Sequence, residues 1–180
     1  MKSDIIKTKK IIAIIGLMGV GKTTIGAKLA KKLGYYFIDC DCEIEDREQK
    51  TISEIFAKKG EEYFRKIEKE VIQEIALRDE EMVISLGGGA FINKEVREIL
   101  AQKAVTIWFF ASIDAILHRV GSKNNRPLLN KGNKRKILED LAKKRYPIYE
   151  EADLKFDTTD ENHEVLIKKI IEQITVKNDK

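Results

Sequence analysis

The chain has 180 residues, with 34 Lys and Arg against 30 Asp and Glu, which gives a net charge of +4. This length allows one α/β domain with its own core and is too short for two ordinary domains. Charges of both signs are interspersed, which argues against a nucleic-acid-binding protein. The apolar segment at residues 11–15 is too short for a signal peptide or a membrane span, so we expect a soluble, cytoplasmic protein.

Cysteine and histidine give no recognisable metal site in the sequence. Cys40 and Cys42 are alternate residues without further ligands at a suitable spacing, so we expect two reduced thiols. His118 and His163 lie in polar stretches of helical period, and we expect both at the surface.

Apolar runs of strand length alternate with segments of helical period, a pattern typical of a parallel sheet covered by helices on both faces. The predicted strands are residues 10–16, 36–39, 82–86, 105–110 and 154–157. The predicted helices are residues 22–33, 52–59, 61–78, 94–102, 113–120, 134–151 and 161–175. Pro147 predicts a kink or a restart in the sixth helix. Residues 121–133 have no period and are rich in Gly, Asn and Lys, which indicates a mobile surface loop.

The strongest motif is GLMGVGKT at residues 16–23, which fits G-x-x-x-x-G-K-[ST] between a predicted strand and a predicted helix. Glycines let the backbone wrap around phosphates with its N–H groups pointing inward, and the helix directs its positive end at the same anion. Lys22 can then reach the β and γ phosphates, and the Thr23 hydroxyl is a ligand for Mg²⁺. The alternatives are an ordinary glycine-rich turn or a dinucleotide-binding loop, but the latter needs G-x-G-x-x-G.

Two carboxylates follow the second predicted strand, in the segment FIDCDCEIE. Many P-loop enzymes hold Mg²⁺ with an Asp at a strand end, whereas the third strand here ends at Ser85 and Leu86. Asp39 and Asp41 close the second strand, and side chains two apart on an extended segment point the same way, so one carboxylate can serve Mg²⁺ while the other serves an acceptor hydroxyl. The alternative is an acidic helix N-terminus with favourable dipole interactions.

Gly87, Gly88 and Gly89 directly follow the third strand and open space beyond its carboxyl end. Alone, such a run is more often a turn. The P-loop, the Asp pair and these glycines all fall at carboxyl ends of strands, where open α/β sheets bind ligands, so we expect a single site.

Three arginines are candidate anion ligands: Arg65, Arg126 and Arg145. The alternative for each is a solvated surface position. Arg65 also precedes Glu68 by one helical turn, the spacing of a surface ion pair.

In their order and spacing, these segments resemble the shikimate kinase family over nearly the whole chain. The matching sequences are GLMGVGKTTIG, FIDCDCEIE, SEIFAKKGEEYFRKIE, SLGGG, RPLL and KKRYPIY. The resemblance implies an α/β P-loop NTPase fold, nucleoside-monophosphate-kinase-like, with a five-stranded parallel sheet in the order 2-3-1-4-5 flanked by helices. It also implies a substrate-binding region at about residues 40–70 and a mobile lid at about residues 121–133.

The reaction that the resemblance implies is transfer of the γ-phosphoryl group of ATP to the 3-hydroxyl of shikimate, a step of aromatic amino acid biosynthesis. Asp41 would hold the acceptor hydroxyls and accept a proton. The other groups around shikimate would be Arg65, Arg145 and the backbone of Gly87, Gly88 and Gly89. With Asp41, the catalytic residues would include Lys22 and Arg126.

The resemblance places ATP on the P-loop, which contributes Gly19, Val20, Gly21, Lys22, Thr23 and Thr24. Arg119 would lie against the adenine, and Arg126 would come from the lid. Mg²⁺ would be served, directly or through water, by Thr23, Asp39 and Ser85. The flanks of the lid on either side of RPLL are rich in Lys and Asn and depart from the pattern of the family.

Two other classes of function share parts of this pattern. Gluconate kinases and nucleoside monophosphate kinases have the same P-loop, but the latter usually show D-G-x-P-R after the third strand, where this chain has LGGGAF. A non-catalytic nucleotide-binding regulator would be expected to lose Lys22, Asp41 or the arginines, and all are present. We expect a monomer whose partner is its small-molecule substrate.

Overall fold

The computed structural model describes residues 9–120 and 132–175. Within these residues, five parallel strands form one sheet in the order β2-β3-β1-β4-β5. The strands are β1 (Ile11–Ile15), β2 (Tyr36–Asp39), β3 (Met82–Ser85), β4 (Ala104–Phe110) and β5 (Leu154–Asp157). The helices are α1 (Lys22–Leu33), α2 (Cys40–Glu48), α3 (Ile52–Ala76), α4 (Lys94–Lys103), α5 (Ile113–Val120), α6 (Lys134–Tyr149) and α7 (His163–Thr175). The predicted fold class and strand order are confirmed.

The central strand β1 brings the site together. All five of its residues are buried, and because successive side chains of a strand point to opposite faces, both faces of the sheet are covered. Ser85 of β3 lies opposite Ile14 of β1 on one side and Asp39 of β2 on the other. The carboxyl ends of these three strands therefore meet at one edge of the sheet.

Helix α2 was not predicted. Asp39 has extended backbone angles, φ −96° and ψ 115°, and caps the helix by accepting a hydrogen bond from the Asp41 N–H at 3.0 Å. Asp41 consequently lies in the first helical turn, so the expectation that both carboxylates belong to one extended segment is wrong. Both carboxylates lie at an acidic helix N-terminus, as the alternative describes, and this position leaves the predicted roles of Asp39 and Asp41 open.

Helix α3 changes direction at Gly60, whose φ of 81° and ψ of 173° are not helical. This break separates the two helices predicted for the segment, and both are therefore confirmed. Thr51 starts the first part through a reciprocal capping box with Glu54.

Helix α6 continues through Pro147 and ends two residues later at Tyr149, so the predicted restart does not occur. Pro147 lies in the last turn, where its missing N–H removes only one helical hydrogen bond.

The cysteines Cys40 and Cys42 are both free thiols, the first buried and the second exposed. His118 is exposed as expected, whereas His163 is half-buried with its ring 3.4 Å from the Lys28 ammonium group. In the part of the chain that the structure describes, no helix is long and apolar enough to cross a membrane.

Candidate active site

A cleft of about 680 Å³ opens at the carboxyl ends of β1, β2 and β3. The predicted site residues that line it are Lys22, Thr23, Asp39, Asp41, Arg65, Ser85, Gly87, Gly88, Gly89 and Arg145. They come from the P-loop and the start of α1, the ends of β2 and β3, the turn after β3, and helices α2, α3 and α6, and the fold brings them to one edge of the sheet. The structure thus brings these residues to one cleft, and their roles stay predictions.

The P-loop connects β1 to α1 and is shaped by its glycines. Gly19 and Gly21 have left-handed φ angles of 79° and 93°. At Gly16, an added Cβ would lie 2.2 Å from the carbonyl oxygen of Phe109, so no other residue fits. The Lys22 ammonium group donates to the carbonyls of Gly16 and Leu17, each at 2.9 Å. Lys22 is thus held across the start of the loop.

Other P-loop residues differ in exposure. The Val20 side chain is fully buried, so only its backbone is available to a nucleotide. Thr23 and Thr24 are exposed at the start of α1, where the N–H groups and the helix dipole favour an anion.

The predicted metal ligands lie side by side. The Thr23 hydroxyl donates to Asp39 Oδ2 at 2.7 Å, and the other oxygen of Asp39 caps α2. Ser85 is buried and pairs with Asp39 in the register between β3 and β2. Hydroxyl and carboxylate oxygens are the donor types that Mg²⁺ prefers, so this set suits the ion.

Arg65 reaches across the triple glycine from α3. A Cβ on Gly89 would lie 2.5 Å from both terminal nitrogens of its guanidinium, so any larger residue here would displace the Arg65 guanidinium from its present position. Arg65 pairs with Glu68 at 2.7 Å and with Glu61 at 3.2 Å. The Glu68 side chain is only 3% exposed, and the alternative of a surface ion pair is therefore wrong.

Glu68 is the functional candidate that sequence reasoning missed. Burial raises its pKa to about 7, with the Arg65 charge acting in the opposite direction and Asp41 adding to the rise. Its Oε1 atom is buried without a hydrogen-bond partner among the described residues. A Cβ on Gly87 would lie 2.7 Å from this atom and 2.8 Å from Asp41 Oδ1, so the two carboxylates flank Gly87.

Arg145 approaches the glycines from α6, a different element from the one that carries Arg65. A Cβ on Gly88 would lie 3.1 Å from Arg145 Nη1 and 3.4 Å from the carbonyl oxygen of Gly16. Gly88 therefore lies between Arg145 and the first residue of the P-loop. The two arginines and the carboxylate of Asp41 surround one small space.

Arg119 lies on the other side of the P-loop and does not line the cleft. Its guanidinium donates to the carbonyls of Thr158 and Thr159 at 2.5 and 2.7 Å, and to Gly19 at 3.4 Å. It thus joins the P-loop to the turn after β5. Arg126 and most of the predicted lid lie outside the described residues, so the role of Arg126 stays a prediction.

Comparison with known proteins gives a consistent result. A family model described as shikimate kinase matches residues 18–175. The shikimate kinase of Brucella canis is 41% identical over 163 residues, covering 91% of this chain and 81% of the relative. The structure of shikimate kinase from Acinetobacter baumannii in complex with shikimate matches with a TM-score of 0.91 and 37% identity, covering 99% of both chains. A gluconokinase from Sinorhizobium meliloti matches with a TM-score of 0.59 at 15% identity, covering 92% of this chain and 89% of its own, a likeness of fold alone.

Proposed function

The chain belongs to the shikimate kinase family, and we propose that its cleft transfers the γ-phosphoryl group of ATP to the 3-hydroxyl of shikimate, giving shikimate 3-phosphate and ADP. The observation that carries this proposal is the convergence of Arg65, Arg145 and Asp41 on three glycines in the cleft that also contains the P-loop lysine. The Acinetobacter relative with bound shikimate supports the choice of acceptor.

The two arginines suit the carboxylate of shikimate. A planar guanidinium binds a carboxylate through two parallel hydrogen bonds, and Arg65 and Arg145 lie beside the adjacent glycines Gly89 and Gly88. Arg65 has one exposed partner, Glu61, and one buried partner, Glu68. We infer that the substrate carboxylate replaces Glu61, because an exposed ion pair contributes little free energy and is easily exchanged.

Asp41 suits the reacting hydroxyl. It lies at the N-terminal turn of α2, where the helix dipole favours a negative charge, and it faces Gly87 across the cleft. We infer that Asp41 orients the 3-hydroxyl and accepts its proton as the bond to phosphorus forms. The transition state of phosphoryl transfer is loose, so positioning contributes more than strong base catalysis.

ATP is the phosphoryl donor of the family, and the P-loop provides the groups that would hold it. Lys22 would exchange the carbonyls of Gly16 and Leu17 for phosphate oxygens, because a charged phosphate is a stronger acceptor than a neutral carbonyl. Arg119 and the turn after β5 would border the adenine.

Mg²⁺ is inferred from the donor set of Thr23, Asp39 and Ser85. Among the described residues, no group of three or more His, Cys, Asp and Glu could hold a metal ion. The proposed set has a different composition, two hydroxyls and one carboxylate, and Mg²⁺ takes one or two protein ligands and completes its shell with phosphate oxygens and water. When bound, the ion neutralises charge on the phosphate oxygens.

We further infer that the chain is a single domain and acts as a monomer in the cytoplasm, with residues 121–133 as a lid that delivers Arg126. Closure of such a lid would exclude water that otherwise hydrolyses ATP. The reduced thiols Cys40 and Cys42 agree with a cytoplasmic protein, and light scattering of the purified protein tests the monomer.

The experiment is coupled ADP release from the purified protein with Mg-ATP, with and without shikimate, beside gluconate, AMP and CMP. We expect a strong rate with shikimate alone. Asp41→Asn should lower kcat by about 100-fold or more. The matched control is Asp46→Asn, an exposed carboxylate on the same helix, which should keep the wild-type rate.

Other outcomes of this experiment are equally informative. If gluconate or a nucleoside monophosphate released ADP while shikimate released no more than water, the acceptor would be wrong and the P-loop assignment would stand. If no acceptor released ADP while ATP still bound, the protein would be a nucleotide-binding regulator.

A further inference from the structure

Tyr149, the last residue of α6, is fully buried and still places a polar group at the active cleft. Its hydroxyl donates a hydrogen bond to the carbonyl oxygen of Gly88. Its ring is packed between Phe91 and Trp108, with centroid distances of 6.4 and 5.8 Å. A buried hydroxyl requires a partner, and here the partner is the backbone of a residue that lines the cleft.

The bond to Tyr149 sets the direction of the Gly88–Gly89 peptide group. Every peptide bond in the described part of the chain is trans, so the Gly88 carbonyl and the Gly89 N–H point in opposite directions. Among the described residues, neither the Gly88 N–H nor the Gly89 N–H has an acceptor. The hydroxyl of Tyr149 therefore holds one end of a peptide group whose other end is available to a ligand.

The same helix supplies Arg145 one turn earlier. Arg145 Nη1 would lie 3.1 Å from a Cβ on Gly88, and the Arg145 side chain is close enough to the Tyr149 hydroxyl to affect its pKa, so the three groups form one local cluster. Burial raises the pKa of Tyr149 to about 12, with Arg145 acting in the opposite direction. The phenol therefore stays protonated and acts as a donor in neutral solution.

We propose that Tyr149 is a positioning residue for the acceptor: its hydroxyl aligns the Gly88–Gly89 peptide group and Arg145 with the bound substrate. The inference rests on the proposed shikimate kinase activity and assigns a residue that does not itself touch shikimate. Since the aligned groups belong to the acceptor half of the cleft, loss of the hydroxyl weakens binding of shikimate more than binding of ATP.

The test compares Tyr149→Phe with Tyr146→Phe. Tyr146 lies on the same helix and also packs on Trp108, at 5.1 Å, but its hydroxyl has no hydrogen-bond partner among the described residues. In Tyr149→Phe, the Kd of shikimate by calorimetry without nucleotide and the shikimate KM should both rise about tenfold. The kcat and the ATP KM should stay within about twofold of wild type, as should all values for Tyr146→Phe.

A merely structural role predicts a different result, a lower Tm with an unchanged Kd for shikimate. That result, or equal Kd values for the two variants, would overturn the inference. Two unnatural residues at position 149 keep the test decisive if the Phe variant folds poorly. 4-Aminophenylalanine keeps a donor and should restore the Kd, whereas 4-fluorophenylalanine fills the space without a donor and should not.

The proposed function and this inference fail in distinguishable ways. If the wild-type protein shows no shikimate-dependent ADP release, the proposed function is wrong. If the wild-type protein is active and Tyr149→Phe is indistinguishable from Tyr146→Phe, only the role of Tyr149 is wrong.

Discussion

Replacing Glu68 with Gln should change how the stability of the protein depends on pH. The pKa of Glu68 is about 7 in the folded protein, against an ordinary value of 4.5, because burial disfavours its charged form. Between these two values the folded state keeps a proton that the unfolded chain has released. The free energy of unfolding therefore falls as the pH rises through this interval.

The magnitude follows from the shift. One pKa unit corresponds to about 1.4 kcal/mol, so the rise from 4.5 to about 7 amounts to about 3 kcal/mol of stability, present at low pH and lost at neutral pH. Because the side chain is only 3% exposed, solvent screening does not reduce this figure much. In Glu68→Gln the side-chain amide is neutral at every pH, so the variant does not lose this stability as the pH rises.

The assay is urea unfolding at a series of pH values, followed by the fluorescence of Trp108, the single tryptophan of the chain. The difference in unfolding free energy, variant minus wild type, should grow by about 3 kcal/mol between about pH 4.5 and pH 8. Glu61→Gln is the control, since Glu61 also pairs with Arg65 but its side chain is 66% exposed, and it should follow the wild-type curve. Parallel curves for wild type and Glu68→Gln would refute the reasoning.

Two further substitutions test the two halves of the cleft. Gly89→Ala places a methyl group 2.5 Å from the present position of the Arg65 nitrogens and should displace the guanidinium. Steady-state kinetics should then show about 100-fold lower kcat/KM for shikimate, with little change in the ATP KM. An unchanged kcat/KM for shikimate would mean that the position of Arg65 next to Gly89 is not needed. Arg119→Ala removes the donor that joins Gly19 to Thr158 and Thr159, so the ATP KM should rise about tenfold and the shikimate KM should stay nearly constant. Equal increases in both constants would contradict a role confined to the nucleotide side.

The parts of the fold that could be predicted are those where a strong local pattern agrees with the tertiary structure. The run Ile11–Ile15 is apolar throughout because both faces of the central strand are buried, and the glycine spacing after it meets a backbone requirement that few other residues satisfy. The same applies to α1 and α5, whose bounds match the prediction.

Helix α2 escaped prediction because its sequence, CDCEIEDRE, has only two buried residues, Cys40 and Ile44. So short an apolar stripe is a weak signal. The helix begins where it does because Asp39 caps it through the Asp41 N–H, while Asp39 itself is held at the end of β2 by the sheet. The roles of Asp39 and Asp41 were inferred from an extended segment that the structure does not have, but they remain possible because the helical turn also brings both carboxylates to the cleft.

Glu68 was missed for a different reason. Glutamate is rarely buried, so its spacing from Arg65 indicated a surface pair. A signal was nevertheless present, because Glu68 follows Ile67 and lies one turn after Phe64, on the side of α3 that packs on the core. What sequence alone could not provide is the approach of Gly87, which comes from a distant strand and closes over the carboxylate.

The break at Gly60 divides α3 into two parts with different packing partners. The first part is bonded to α2, through the Ile52 N–H to Glu45 at 2.8 Å and through Lys59 to Glu48 at 2.7 Å. Residues 40–59 therefore form an internally bonded cassette, inserted between β2 and the part of α3 that packs on the core. Exchanging this cassette would replace Asp41 but leave Arg65, Arg145, the three glycines and the P-loop in place, so the group that orients the reacting hydroxyl can vary separately from the groups that hold the rest of the acceptor.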